Sequence, residues 1–178
     1  MRFFTEQRGS ASVLALFLMF VIFAVGAMVA DIGNALAVKI SAKHKLNLAC
    51  RAAAGQIDME ELKNANLVID ESLAIPKFYE VLEANLRLDG SLQPLPGSIF
   101  QGPVSVVFLK VVNQAELPFS YSCGSFSETV DKPAVIGIIQ FPVKKGVFAR
   151  LAGINPEDSM TVHVTAGPEL ISKHIGEF

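Results

Sequence analysis

The stretch Ala11–Ala30, ASVLALFLMFVIFAVGAMVA, decides how the rest of the chain is read. It runs for about 20 residues without a charge, and as a helix it would cover about 30 Å, the thickness of a bilayer's hydrocarbon core. Leu, Ile, Phe and Val dominate it, and each favours insertion by about 0.3 to 0.6 kcal/mol near the bilayer centre. A helix of this length buried in a soluble core would normally keep a polar face. The competing reading is a cleaved secretory signal, with Arg2 and Arg8 as its basic end and Val25-Gly26-Ala27 as a weak cleavage site. Against it, the apolar run is long for such a signal, and helix-forming sequence continues from Asp31 to Ala54 with no proline and only Gly33 as a breaker. The expectation is an uncleaved transmembrane helix over 11–30, preceded by a cytoplasmic tail over 1–10 and followed by an amphipathic stalk helix over 31–58.

Composition agrees with this division. The chain has 178 residues, 51% hydrophobic, with a mean hydropathy of +0.44, and the apolar excess lies near the N-terminus. What remains, 59–178, suits one extracytoplasmic domain. The formal net charge is -2 and no long run of one sign occurs, which argues against nucleic acid as a partner. Arg2 and Arg8 flank one side of the span, and Lys39, Lys43, Lys45 and Arg51 flank the other. Counted alone, these charges favour the reverse topology. Because the tail before the span is too short to be a domain and the downstream charges recede from the bilayer along a stalk, the N-terminus is placed inside.

Gly26 and Ala30, then Gly33 and Ala37, are small pairs four residues apart, a spacing that lets helix backbones approach closely. Ala42 and Ala49 continue a small-residue seam into the stalk, where Ala35, Ala42 and Ala49 recur at seven-residue intervals. That face packs either on the protein's own domain or on neighbouring helices. Asp31 closes the apolar run, and because a carboxylate is costly in lipid it marks the membrane boundary or pairs with a cation in a neighbour.

The phrases Gln7-Arg8-Gly9-Ser10-Ala11-Ser12-Val13, Val29-Ala30-Asp31-Ile32-Gly33-Asn34-Ala35 and Leu46-Asn47-Leu48-Ala49-Cys50-Arg51-Ala52-Ala53-Ala54 resemble the TadE/TadG-like proteins of Flp (tight-adherence) pilus assembly systems. The resemblance covers the first 55 residues or so, and it departs from processed pseudopilins in having Leu14 where they carry Glu. It implies a pilin-like component anchored in the cytoplasmic membrane, partnered by lipid and by other pilus-assembly membrane proteins through its N-terminal helix. The domain would lie outside. A membrane-tethered module that binds a ligand or another protein is the alternative.

The fold expected for the domain is α+β, a mostly antiparallel sheet with one or two helices. Ile75, Phe78, Leu82 and Leu86 share one helical face, in a helix starting near Pro76. Residues 92–102, rich in proline and glycine, read as a loop. PVSVVFLKVV (103–112) and AVIGIIQF (134–141) are apolar on both faces, as central strands are. In the last strand Met160, Val162, Val164 and Ala166 face the core and Thr161, His163 and Thr165 face away. Val147–Leu151 suggests a short helix ended by Gly153.

Chemistry is thinly represented. Ser122-Cys123-Gly124 in a Ser-rich loop, with His163 or His174 as base, is the one nucleophilic combination available, and the same two histidines are the one metal pair; neither has a recognised motif, so an enzyme, a metal site and a cofactor are not expected. His44 reads as solvated polar face. Cys50 and Cys123 could form a disulfide between stalk and sheet in an oxidising compartment, or remain two free thiols.

Overall fold

The computed structural model describes residues 6–124, 126–143, 146, 148 and 159–169. The expected helix at 147–151 and His174 lie outside the described residues. The chain forms two compact units, residues 1–37 with 144–158 and residues 38–143 with 159–178.

One helix, α1 (Glu6–Ala54), contributes to both units. Alanine and leucine favour it throughout, and no proline interrupts it. In the first unit its apolar stretch is long enough to cross a membrane, and the large side chains there are exposed on every side, Leu16 at 74%, Phe20 at 70% and Ile22 at 63%. In the second unit it changes character. Ala42, Leu46, Ala49, Cys50, Ala53 and Ala54 form a fully buried stripe, while Lys39, Lys43 and His44 remain exposed. The helix stops at Gly55, whose N–H bonds to the Arg51 carbonyl, and the Gln56 side-chain amide covers the Ala52 carbonyl.

Beyond a short helix α2 (Met59–Lys63), capped by Asp58, the chain enters α3 (Glu71–Leu86). This helix begins five residues before Pro76, not at it. The Asp70 side chain accepts from the Ser72 N–H and acts as the N-cap, and the Ser72 hydroxyl holds that carboxyl below the usual carboxylate range. Proline inside a helix removes one i→i−4 bond, and the burial of Ala74, Phe78, Leu82 and Leu86 compensates for the loss. Arg87, left-handed at φ 53°, ends the helix. Residues between 92 and 102 form the expected loop.

Five strands follow: β1 (Ser105–Val112), β2 (Phe119–Cys123), β3 (Phe126–Val130), β4 (Ala134–Pro142) and β5 (Ser159–Ala166). They make a three-stranded antiparallel sheet in the order β1-β4-β5 and a separate β2-β3 hairpin. The α+β class is as expected. β4 is the central strand, buried on both faces. β1 is not central: it is an edge, bulged between Val106 and Phe108, with Val107 46% exposed, and its apolar residues divide between the two faces, Val106, Leu109 and Val111 on one and Phe108 and Val112 on the other. The Ser-rich segment expected to be a loop is the hairpin itself. Gly124 at φ +60° opens its turn, a conformation for which glycine is suited.

The sheet is covered on both sides. Val135, Ile139 and Phe141 of β4, with Val162, Val164 and Ala166 of β5, pack under α1 and α3. Ile136 and Ile138 turn to the other face, where Tyr121 and Val130 of the hairpin cover them, and the Tyr121 ring stacks on Phe108 at 5.5 Å. α1 comes close to the sheet at Gly137. A Cβ there would stand 2.8 Å from Cys50 Sγ, 3.2 Å from Phe78 Cε2 and 3.3 Å from Leu46 Cδ1. Small residues on both surfaces, alanines on the helix and glycine on the strand, set this spacing.

Candidate functional site

Two surfaces stand out, one in each unit. The first is the exposed part of α1. Gly26, Ala30, Gly33 and Ala37 all lie on exposed helix, and a Cβ built at Gly26 or Gly33 would meet nothing within 4 Å. Glycine inside a helix costs about 0.5 to 1 kcal/mol relative to alanine. No described residue takes up the space these two glycines leave. Ala42 and Ala49 are different: both are fully buried against the protein's own sheet. The small-residue seam therefore divides, its lower half serving the core and its upper half remaining open.

Asp31 lies at the end of the apolar run, half-buried, and accepts a hydrogen bond from the Phe148 backbone N–H at 2.7 Å. Gly146 stands directly against its carboxyl, in a space where a side chain would collide. Asp31 thus accepts a backbone hydrogen bond from its own unit.

The two cysteines are not brought together. Both are free thiols. Cys50 is sealed beneath the helix face of the sheet, near the Val164 carbonyl, and burial pushes its thiol up to about 12. Cys123 ends β2 and packs with the hairpin cluster on the opposite face. A β-sheet lies between them, so of the two alternatives, a bridge or two free thiols, this fold has the free thiols. The nucleophilic combination is not assembled either. His163 packs its ring on Phe126, with centroids 4.1 Å apart, and makes no hydrogen bond to Cys123. Among the described residues no group of three potential metal ligands is present.

The second surface was not legible in the sequence. A groove of about 480 Å³ runs beside β5, with Ile40, Lys43, His44 and Asn47 of α1 on one wall and Glu128, His163, Val164 and Thr165 on the other. Its volume is in the range of ligand clefts. The strand wall is firmly built: the Thr165 hydroxyl donates to Glu128 Oε2 at 2.7 Å, and the Tyr121 hydroxyl donates to the same oxygen at 3.0 Å. Burial, with the Glu128 carboxylate beside it, raises the Tyr121 phenol above its ordinary value. These bonds join hairpin to sheet. Lys43 and His44, by contrast, make no hydrogen bond or ion pair with any described residue. The signal that could have found this groove was the i, i+3, i+4, i+7 spacing of Ile40, Lys43, His44 and Asn47 on one helix face. Comparison with protein-family models, with curated proteins and with solved structures finds no match to this chain.

Proposed function

We infer that the protein is a membrane-anchored, pilin-like structural or assembly component of a Flp/Tad-type pilus or secretion system, with its α+β domain outside the cytoplasmic membrane. The observation that carries this reading is the double use of α1. One unbroken helix supplies an apolar stretch exposed on all sides and, farther along, the central buried stripe of the domain. A mere tether needs no such continuity. A helix that serves as both anchor and core element suits a subunit that packs with other membrane helices, and the unfilled space at Gly26 and Gly33 supports the same reading. The resemblance of the first 55 residues to TadE/TadG-like proteins points in this direction as well.

The test is site-specific photo-crosslinking in native membranes of the source cell. A photoreactive side chain at Ala30 or Ala37 should capture another membrane helix, and one at Lys63, on the short helix of the domain, should not. Replacement of residues 11–30 by an unrelated apolar helix should abolish that capture while leaving the chain membrane-bound. Capture of lipid alone at both seam positions would remove the assembly role and leave a tethered binding module.

A further inference from the structure

Edge strands expose a row of unpaired N–H and C=O groups, and folds usually blunt them with a bulge, a proline or a charge. The β1 edge is blunted in this way by the bulge between Val106 and Phe108 and by Lys110, which is ion-paired to Glu116 at 2.9 Å. The β5 edge is not. Its pairing with β4 runs without a shift from Val135↔Ala166 to Pro142↔Ser159, and its sequence, SMTVHVTA, holds neither proline nor a formal charge. No strand pairs with its outer side among the described residues. The groove lined by α1 lies along this bare edge.

We propose that the β5 edge and this groove receive an extended, acidic segment of another polypeptide, which adds as a strand to β5 and sets carboxylates against Lys43 and His44. Main-chain pairing of this kind gives affinity, and the flanking wall gives specificity. The charge balance selects an acidic guest. Lys43 and His44 are without partners among the described residues, and exposed Lys39, one helical turn from Lys43, adds a second lysine charge. Glu128, the one acid among the lining residues, keeps its charge but has Oε2 occupied by the Thr165 and Tyr121 hydroxyls, and Lys43 with neighbouring Lys39 outnumbers it. Ile40 and Val164 leave an apolar strip for alternate side chains. This site lies wholly within the second unit, and it stands whether or not the apolar helix joins an assembly.

The experiment uses the full chain in uncharged detergent micelles and two blocked octapeptides, one alternating valine with glutamate and one alternating valine with lysine. The glutamate peptide should bind saturably, about tenfold more tightly than the lysine peptide. It should slow amide exchange at alternate residues between Met160 and Thr165. Lys43→Glu, confirmed as folded by unchanged exchange at Ile136 and Ile138, should remove or invert the preference. Equal affinity for the two peptides, no saturable binding, or binding that leaves β5 exchange unchanged would overturn the proposal, as would self-association protecting the same amides without peptide.

Discussion

Gly137→Ala would place a methyl group where α1 leaves no room for it. The new Cβ would stand 2.8 Å from Cys50 Sγ, with Phe78 Cε2 and Leu46 Cδ1 at 3.2 and 3.3 Å. The sulfur cannot withdraw, because Cys50 is fully buried and its side chain is short. Overpacking of this kind costs about 1 to 3 kcal/mol, and we take about 2 as the expected loss. Cys50→Ala alone removes a buried sulfur and should cost about 1 kcal/mol. Together the two changes should cost far less than their sum of about 3, because the added methyl occupies space that the sulfur vacates, and alanine also loses less chain entropy than glycine on folding. A double variant within about 1 kcal/mol of the parent corresponds to a coupling of about 2 kcal/mol. Native-state amide exchange at Ile136, Ile138 and Ile139 in the full chain reads these differences, since the slowest amides of a central strand report global opening. A Gly137→Ala chain as stable as the parent would refute the close approach, and so would additivity of the two changes.

Two further outcomes follow from buried groups. Burial moves the Cys50 thiol from its ordinary 9.0 up to about 12, so between those pH values the unfolded chain ionises this group while the folded one keeps it neutral. A raised folded-state value contributes stability that is fully present below pH 9 and lost as pH rises toward 12, at up to about 1.4 kcal/mol per unit. The parent should lose stability over this window more steeply than Cys50→Ala, and parallel curves in urea titrations would contradict the burial. Asn113 ties the segment before α3 to the end of β1, accepting from the Ile69 N–H at 2.8 Å and donating to the Ile69 carbonyl at 3.0 Å. Asn113→Ala strands both groups of a residue that is 1% exposed and should cost about 1 to 3 kcal/mol, with exchange at Ile69 accelerating first; unchanged exchange there would show the bond to be dispensable.

The parts of this fold readable from sequence are those written in local periodicity. The run 11–30, the apolar segments that became β1 and β4, and the alternation from Met160 to Ala166 each declare themselves within ten to twenty residues. The errors have non-local causes. α3 begins at Glu71, ahead of Pro76, because Asp70 caps it there and Ala74 reaches the core before the proline. β1 reads as central because it carries apolar residues on both faces, one set under the helices and the other under the hairpin, yet it ends the sheet. The hairpin at 119–130 hides behind serines, although Gly124 between Phe119-x-Tyr121 and Phe126 was a usable turn signal. Proximity lies farthest from the sequence. Nothing in the spacing of Cys50 and Cys123 says that a sheet separates them, and nothing local places the Lys43 wall beside the bare edge of β5. The open half of the small-residue seam was legible at Gly26 and Gly33; that Ala42 and Ala49 serve the core emerged only from packing.

The account depends most on the apolar helix remaining part of the chain and lodged in lipid. Alkaline carbonate extraction of source-cell membranes, followed by intact-mass measurement of the extracted chain, tests this directly. The account predicts a polypeptide that stays with the membrane pellet and retains residues 11–30. A soluble polypeptide beginning near Met28 would contradict it.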